Sequence, residues 1–252
     1  MIARARRASE NWREAAGEDV TIRYLMMGKG RPLILLHGLS GSVRWWRHNL
    51  DALAEQHTVF VVDLVRYRGT QTPRFVLRST ARRLAGWMRS IEIESADFMG
   101  HSMGGAIAAE VAADFPERVQ KLVLVDPALI FLESRLRLSP LDFIRCSPAF
   151  SLSLVPVLVQ DALRTGPATL VRSALDLLTS DLREKLATIQ APTLVIWGEK
   201  DGILPVRLSE KLRAHLPPGG TFRVIPGAGH NPMWERPALF NREVLEFLRA
   251  RE

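Results

Sequence analysis

The chain has 252 residues and a single cysteine, Cys146, so no disulfide can form within it. No histidine motif accompanies Cys146, which argues against a thiol nucleophile. No run of about 18 apolar residues occurs, so we expect no membrane-spanning helix and no stable membrane insertion. Residues 1–8 are basic, but no apolar stretch follows them as it would in a signal peptide. These absences predict a cytoplasmic protein; a secreted form whose signal has been removed is the alternative.

After residues 1–8, the sequence also lacks a concentrated region of basic residues, although its formal net charge is +7. Basic residues are scattered along the chain and do not form one stripe with aromatic or base-reading groups, so nucleic acid is not an expected partner. No cluster of His, Cys and Asp has the spacing of a metal site, and no metal is expected. The apolar fraction of 47% is enough for one sizeable core.

Short apolar runs alternate with helical patterns over most of the sequence. Strands are predicted at 20–27, 33–36, 58–62, 96–99, 121–125, 193–197 and 221–225, and helices at 45–56, 80–90, 104–115, 204–215 and 237–251. This alternation is typical of an α/β fold with a mostly parallel sheet that helices cover on both faces.

The alternation stops between residues 127 and 190, where prolines interrupt several helix-like pieces. We predict a core domain of residues 1–126 and 191–252 with a small helical cap, 127–190, inserted before the strand that leads to Asp201. Large apolar side chains in the cap, together with Trp234, are candidates for a substrate pocket. Those in the cap are Phe131, Phe143 and Phe150. The alternatives are that they bury the cap against the core, or that the cap binds a lipid interface.

The most informative motif is Gly-His-Ser-Met-Gly-Gly at residues 100–105. It follows a predicted strand and opens an alanine-rich helix, which is the setting of a nucleophile elbow. Gly100 and Gly104 flank Ser102 where a Cβ atom would collide with the opposing backbone. Ser102 is therefore the candidate nucleophile.

A nucleophilic serine needs a base and a carboxylate that orients the base. His230 and Asp201 each follow a predicted strand, and the carboxyl ends of parallel strands meet at one crevice. Asp126 and Glu199 are the alternative acids. Backbone N–H groups of Leu39 and Met103 are candidates for an oxyanion hole.

These motifs, in this order, resemble the α/β-hydrolase family in its esterase/lipase-like branch. The resemblance also rests on His37-Gly38 and on the stretches 197–201 and 227–230, and it runs from about residue 20 to the end. It implies a Ser-His-Asp triad, an oxyanion hole and no cofactor. One departure stands out, because Arg66 and Arg68 occupy positions where relatives usually carry glycine.

The leading functional hypothesis is hydrolysis of small-molecule carboxylic esters with small to medium acyl chains. A carbon–carbon bond hydrolase of ring-cleavage products, a lactonase or a perhydrolase could use the same triad, and the arginine loop keeps an acidic dienoate substrate open. A ligand-binding module that retains the triad without catalysis is the third class. Labelling of Ser102 by a fluorophosphonate separates the enzymes from that module.

Overall fold

A computed structural model describes residues 12–17, 19–64, 77–129, 151–180, 182–217 and 219–250. One eight-stranded sheet runs through it in the order β1-β2-β4-β3-β5-β6-β7-β8. Strands β1 and β2, and β2 and β4, pair antiparallel, and every other neighbouring pair is parallel. The strands are β1 (Trp12–Ala16), β2 (Thr21–Met27), β3 (Arg31–Leu36), β4 (His57–Val62), β5 (Ala96–His101), β6 (Val119–Val125), β7 (Thr193–Gly198) and β8 (Thr221–Ile225).

The helices of the described residues lie between these strands and after β8. They are α1 (Leu50–Ala54), α2 (Leu77–Ser90), α3 (Met103–Asp114), α4 (Val155–Thr165), α5 (Pro167–Thr179), α6 (Arg183–Leu186), α7 (Arg207–Arg213), α8 (Pro232–Glu235) and α9 (Pro237–Arg249), with 3-10 turns at Val43–Trp46 and Pro116–Arg118. None of the helices in these ranges is long and apolar enough to cross a membrane.

Both faces of the sheet are buried under helices. Helices α2 and α3 contribute Trp87 and the alanine-rich stretch 106–112 to one apolar cluster. The other cluster contains Trp46 from the first 3-10 turn and Phe240 from α9. Because both faces are covered, the central strands are almost continuously apolar, as the runs 33–36 and 122–125 show. The predicted α/β fold with a mostly parallel sheet is confirmed.

Two elements differ from the prediction. Strand β1 was not predicted, since Trp12–Ala16 carries charged residues and alanines that give it little strand propensity. It forms by antiparallel pairing with β2, and its charged side chains suit the edge of a sheet.

The predicted helix 45–56 is instead a 3-10 turn followed by the short helix α1. Between them lies Asn49, which is fully buried. Its side-chain amide donates to the Met233 carbonyl at 3.0 Å and to Asn241 Oδ1 at 2.7 Å. These two bonds to the C-terminal part of the chain accompany the break, so long-range contacts override a helical pattern here.

Helices α4, α5 and α6 lie within the stretch predicted as a cap. Their presence agrees with a helical insertion, while its boundaries, 127 and 190, stay predictions. Cys146 and the loop of Arg66, Tyr67 and Arg68 lie outside the described residues.

Candidate functional site

Ser102 sits in the sharp turn between β5 and α3 with φ 52° and ψ −114°. A positive φ is uncommon for a residue with a Cβ and persists only where the surroundings impose it. Here the Ser102 N–H donates to the Val125 carbonyl at 2.9 Å, and the Ser102 carbonyl accepts from the N–H groups of Ala106 and Ala128, both at 3.1 Å. The main chain on both sides of Ser102 is therefore fixed, and its side chain lies at the carboxyl end of the sheet.

Two glycines allow this turn to form. A Cβ atom on Gly100 would lie 2.2 Å from the Gly104 carbonyl oxygen, and one on Gly104 would lie 2.3 Å from the Leu36 carbonyl oxygen. Both contacts are with backbone, which could move only if the strand and the helix separated. The spacing of the motif thus follows from the close approach of β3, β5 and α3.

Asp201 and His230 meet across the ends of β7 and β8. His230 Nδ1 lies 2.7 Å from Asp201 Oδ2, and both residues are buried. A carboxylate only accepts hydrogen bonds, so Nδ1 carries the proton and Nε2 keeps the lone pair that a base requires. Asp201 Oδ1 accepts from the N–H groups of Ile203 and Leu204 at 2.8 and 2.9 Å, which fixes the carboxylate.

The loops that carry the acid and the base are packed directly against each other. A Cβ atom on Gly198 would lie 1.9 Å from the Gly229 carbonyl oxygen. The Lys200 N–H donates to the Ala228 carbonyl at 2.7 Å. Glu199, an alternative acid at the sequence level, accepts from the Gly227 N–H at 2.7 Å. Its carboxylate thus holds the turn that precedes His230.

Asp126, the other alternative acid, is fully buried and bonds to the main chain. Its Oδ1 accepts from the Gly198 N–H at 2.8 Å. Burial and the negative charge of Asp201 raise the pKa of the Asp126 carboxyl well above its usual range, which disfavours its charged form. Asp201, and not Asp126, faces Nδ1 of His230.

His101, next to the candidate nucleophile, is fully buried and donates from Nε2 to the His230 carbonyl at 2.7 Å. Burial and the neighbouring His230 lower its pKa well below 6.5, so the ring is neutral. One potential ligand atom each of His101, Asp126 and His230 lies within 4.8 Å of the others. One nitrogen or oxygen of each side chain has a hydrogen-bond partner within the protein, and the absence of a metal stays a prediction.

The loop after β3 brings Leu39 to the same edge of the sheet. The buried ring of His37 holds this loop, because its Nε2 accepts from the Leu64 N–H at 3.1 Å and its Nδ1 donates to the Gly38 carbonyl at 2.9 Å. Met103 is the first residue of α3, so its N–H has no acceptor within its own helix. These two amides are the candidate oxyanion donors.

A cavity of about 620 Å³ opens above Ser102 and His230. Leu39, Ser40 and Trp45 line it from the core, and helices α4 and α5 supply most of the rest through aliphatic side chains. No Asp, Glu, Lys or Arg lies among the described residues that line it. The helix residues are Val155, Leu158, Val159, Ala162, Leu170, Val171, Ala174 and Leu177.

Of the four candidate pocket residues, only Trp234 lies among the described residues. Phe131, Phe143 and Phe150 lie outside the described residues. Trp234 is not among the lining residues: it is buried in the second apolar cluster and donates to Ser153 Oγ at 3.0 Å. The aliphatic residues of α4 and α5 were missed, although their spacing of three and four residues is the pattern of one helix face.

This fold and site define an α/β hydrolase. The model of the Alpha/beta hydrolase family matches residues 33–243, and the chain belongs to that family. The match covers both glycines of the turn at Ser102 as well as Asp201 and His230.

Three known proteins show the range of its relatives. The chain is 32% identical over 251 residues to the dihydrolipoyllysine-residue acetyltransferase component of the acetoin cleaving system of Cupriavidus necator, covering 89% of this chain but only 65% of that protein. It is 29% identical to a 2-hydroxy-6-oxononadienedioate/2-hydroxy-6-oxononatrienedioate hydrolase of Burkholderia vietnamiensis, covering 92% of each chain. The crystal structure of a bacterial membrane phospholipase A is similar, with a TM-score of 0.80 and 26% identity over 98% of this chain and 90% of that one.

Proposed function

We propose that the protein hydrolyses carboxylic esters of small to medium acyl chain length through an acyl-enzyme. The observation that carries this proposal is the cavity above Ser102 and His230, which is apolar and has no formally charged residue among its described lining. Its volume of about 620 Å³ suits a small organic substrate. Transfer of an acyl chain from water into this cavity is favourable, because the chain is apolar. Transfer of a carboxylate is unfavourable, because it would lose its hydration and find no cationic partner among the described lining residues.

The mechanism follows from the positions of the polar groups. The Ser102 hydroxyl attacks the ester carbonyl while His230 Nε2 takes its proton, and Asp201 stabilises the imidazolium that forms. The N–H groups of Leu39 and Met103 stabilise the tetrahedral oxyanion. His230 then protonates the leaving alcohol, and water repeats the two steps to release the acid.

A carbon–carbon bond hydrolase of ring-cleavage products is the second candidate. The relative from Burkholderia vietnamiensis, whose name describes such a hydrolase, supports it. That substrate carries carboxylates, and the described lining of the cavity offers no cation to pair with them. A lactonase or a perhydrolase would use the same groups as the esterase.

A substrate panel tests these candidates. Purified protein is assayed with nitrophenyl esters from acetate to dodecanoate, with an aliphatic lactone and with a dienoate diacid, each beside the Ser102→Ala variant. We expect the highest kcat/KM on a short or medium ester and a value at least about 100-fold lower on the dienoate. The opposite order would replace the esterase proposal with the carbon–carbon hydrolase.

A further inference from the structure

A buried carboxylate on α4 bonds to the segment that follows the candidate oxyanion loop. Asp161 exposes 1% of its side chain. Its Oδ2 accepts from Ser42 Oγ at 2.8 Å and from the indole N–H of Trp45 at 3.2 Å, and its Oδ1 accepts from the guanidinium of Arg44. Three of four consecutive residues therefore donate to one carboxylate about 120 residues further along the chain.

The segment that these donors occupy is continuous with the loop of Leu39. The Gly41 N–H donates to the Gly38 carbonyl at 3.0 Å, and the Trp45 N–H donates to the Ser42 carbonyl at 3.1 Å. Ser42 Oγ also accepts from the Arg44 N–H at 3.3 Å, so the hydroxyl that donates to Asp161 is itself held in place. Ser40, which lies between Gly38 and Gly41 in this turn, has a φ of 56°. A shift of Ser42 would therefore move the turn that carries the Leu39 amide.

Trp45 extends the same contact into the site. Its ring lines the cavity and lies with its centroid 5.5 Å from that of His101, the neighbour of Ser102. On the other side, Leu158 and Ala162, which flank Asp161 on α4, line the cavity as well. Asp161 thus connects two walls of the cavity, the one formed by α4 and the one that contains Trp45.

Within its own helix, Asp161 also pairs with Arg164, whose guanidinium lies 3.8 Å from Oδ1 and is more than half exposed, so this pair contributes little. The hydrogen bonds of the Asp161 carboxylate all run to the 42–45 segment, and they tie α4 to it. The guanidinium of Arg44 also donates to Gln160 Oε1 at 2.7 Å, but that bond is exposed to water and contributes little. The bond of Asp161 to Trp45 is buried and those to Ser42 and Arg44 are partly buried, so these bonds, more than the exposed one to Gln160, hold α4 against the 38–45 loop.

We propose that Asp161 is a positioning residue, which through Ser42, Arg44 and Trp45 sets the oxyanion loop against the cavity wall formed by α4. The proposal rests on the proposed ester hydrolysis for its kinetic consequence, but its structural consequence is independent of any substrate. A misplaced oxyanion donor affects the transition state more than the bound ester, so kcat should fall while KM changes little.

The test compares Asp161→Asn with Gln160→Ala, a matched control that removes only the exposed bond of Arg44. Initial rates on a short nitrophenyl ester are measured well below the unfolding temperature, with active sites counted by fluorophosphonate. We expect Asp161→Asn to lower kcat per active site by about 10-fold or more with KM within about 3-fold, and Gln160→Ala to change neither by more than about 2-fold. A lower melting temperature with unchanged kcat would overturn the proposal, because the bond would then only hold the helix.

Hydrogen exchange of the peptides that cover residues 38–46 supplies a readout without substrate. We expect faster exchange in Asp161→Asn and unchanged exchange in Gln160→Ala; equal rates in wild type and Asp161→Asn would overturn the proposal. If wild type cleaves no ester, the proposed function fails, and this exchange result alone decides the positioning role.

Milder variants cover the case in which Asp161→Asn does not fold. Trp45→Phe and Ser42→Ala each remove one donor, and we expect each to lower kcat by about 3-fold or more with faster exchange at residues 38–46. Unchanged kcat and exchange in both would overturn the proposal.

Discussion

Ser102 is the residue on which the proposed chemistry depends most directly. Replacing it with alanine removes one oxygen atom, and the bonds that hold the turn are made by its backbone. We expect Ser102→Ala to lower kcat by about 10⁴-fold or more and to leave the melting temperature nearly unchanged. Ser90→Ala is the control, since Ser90 ends α2 away from the cavity and its hydroxyl donates to the main-chain carbonyls of Ala16 and Trp87. A Ser102→Ala variant that keeps a tenth of the activity would contradict the assignment.

Two buried aspartates lie near His230, and they differ in their hydrogen-bond partners: Asp201 bonds to His230 Nδ1, whereas Asp126 bonds to the Gly198 N–H. Asp201→Asn should lower kcat by about 10⁴-fold, as the corresponding change does in serine proteases, because the imidazole then takes the wrong tautomer. Asp126→Asn should keep most of the activity, since the amide keeps an oxygen for the Gly198 N–H and the surroundings of Asp126 disfavour the charged carboxylate that the variant removes. Steady-state kinetics of both variants measure this, and exchanged results would make Asp126 the acid.

The residues around His230 also give a prediction about whether the activity needs a metal. Activity should be unchanged after dialysis against EDTA, because the proposed mechanism uses no metal and His230 Nδ1, His101 Nε2 and Asp126 Oδ1 each form a hydrogen bond within the protein. Reversible loss that one divalent cation restores would show that these three side chains bind a metal.

At the scale of residues, the sequence predicts the polar residues of the candidate site better than it predicts the residues that line the cavity. Ser102, Asp201 and His230 each follow a strand, and strand ends can be located from short apolar runs. The aliphatic residues of α4 and α5 have the spacing of a helix face, but which face lines the cavity depends on how these helices pack over the sheet, and the local sequence does not determine that packing. Asp161 was missed for the same reason, because its donors lie about 120 residues away.

At the scale of elements, the contact between the acid loop and the base loop is the tightest in the site. We expect Gly198→Ala to lower kcat by about 100-fold or more, because its Cβ atom would push the Gly229 carbonyl and displace His230 by a fraction of an ångström or more. Its melting temperature should fall as well, since overpacking typically costs about 1–3 kcal/mol.

Gly219→Ala is the matched control for that variant. A Cβ atom at Gly219 would meet nothing within 4 Å, although its φ of 79° still disfavours alanine by about 1–2 kcal/mol. It should lose some stability and keep its activity. A Gly198→Ala variant with wild-type kcat would show that the two loops can separate without harm.

Elements also show where local patterns are sufficient. The predicted strand 221–225 has the observed bounds, and the helix after Ser102 differs by one residue at each end. Strand β1 needed β2 as a partner, and the break at Asn49 depends on residues almost 200 positions away. Sequence predicts elements whose stability is local, and it misses those that tertiary contacts create.

At the scale of the whole molecule, a buried ionic cluster occupies the edge of the sheet opposite the site. Asp97 on β5 is fully buried and accepts from Arg31 Nε at 2.7 Å. Burial raises its pKa from 3.8 to about 6, although Arg31 and Lys121 lower it in part. Between those two pH values the folded protein therefore binds more protons than the unfolded chain, and this contribution to stability falls as pH rises.

This cluster gives a prediction for the pH dependence of unfolding. The free energy of unfolding of wild type minus that of Asp97→Asn should fall by about 2–3 kcal/mol between pH 4 and pH 6 and stay level above that range. Urea denaturation at several pH values measures the difference.

Asp19→Asn is the control, because Arg83 lowers the pKa of this exposed carboxyl. The free energy of unfolding of wild type minus that of Asp19→Asn should rise with pH, and by less than the corresponding difference for Asp97→Asn falls. A wild-type advantage over Asp97→Asn that grows with pH would contradict the prediction.

The same cluster joins parts of the chain that are far apart in sequence. Lys121 Nζ donates to the carbonyls of Phe247 at 3.1 Å and Leu248 at 3.3 Å, and Arg31 Nη2 donates to the Leu248 carbonyl at 2.8 Å. Two cations thus bind the C-terminal end of α9, where they complement its dipole.

This arrangement has a consequence for the order of events on the ribosome. Lys121 is synthesised 126 residues before Phe247, and Arg31 is synthesised 217 residues before Leu248. Until α9 leaves the exit tunnel, the sheet can pair its strands, but the two cations lack their main-chain acceptors and the part of the sheet that Phe240, Val244 and Leu248 cover is exposed. A nascent chain stalled before α9 has emerged should therefore be cut by protease within regions that resist cleavage in the finished protein.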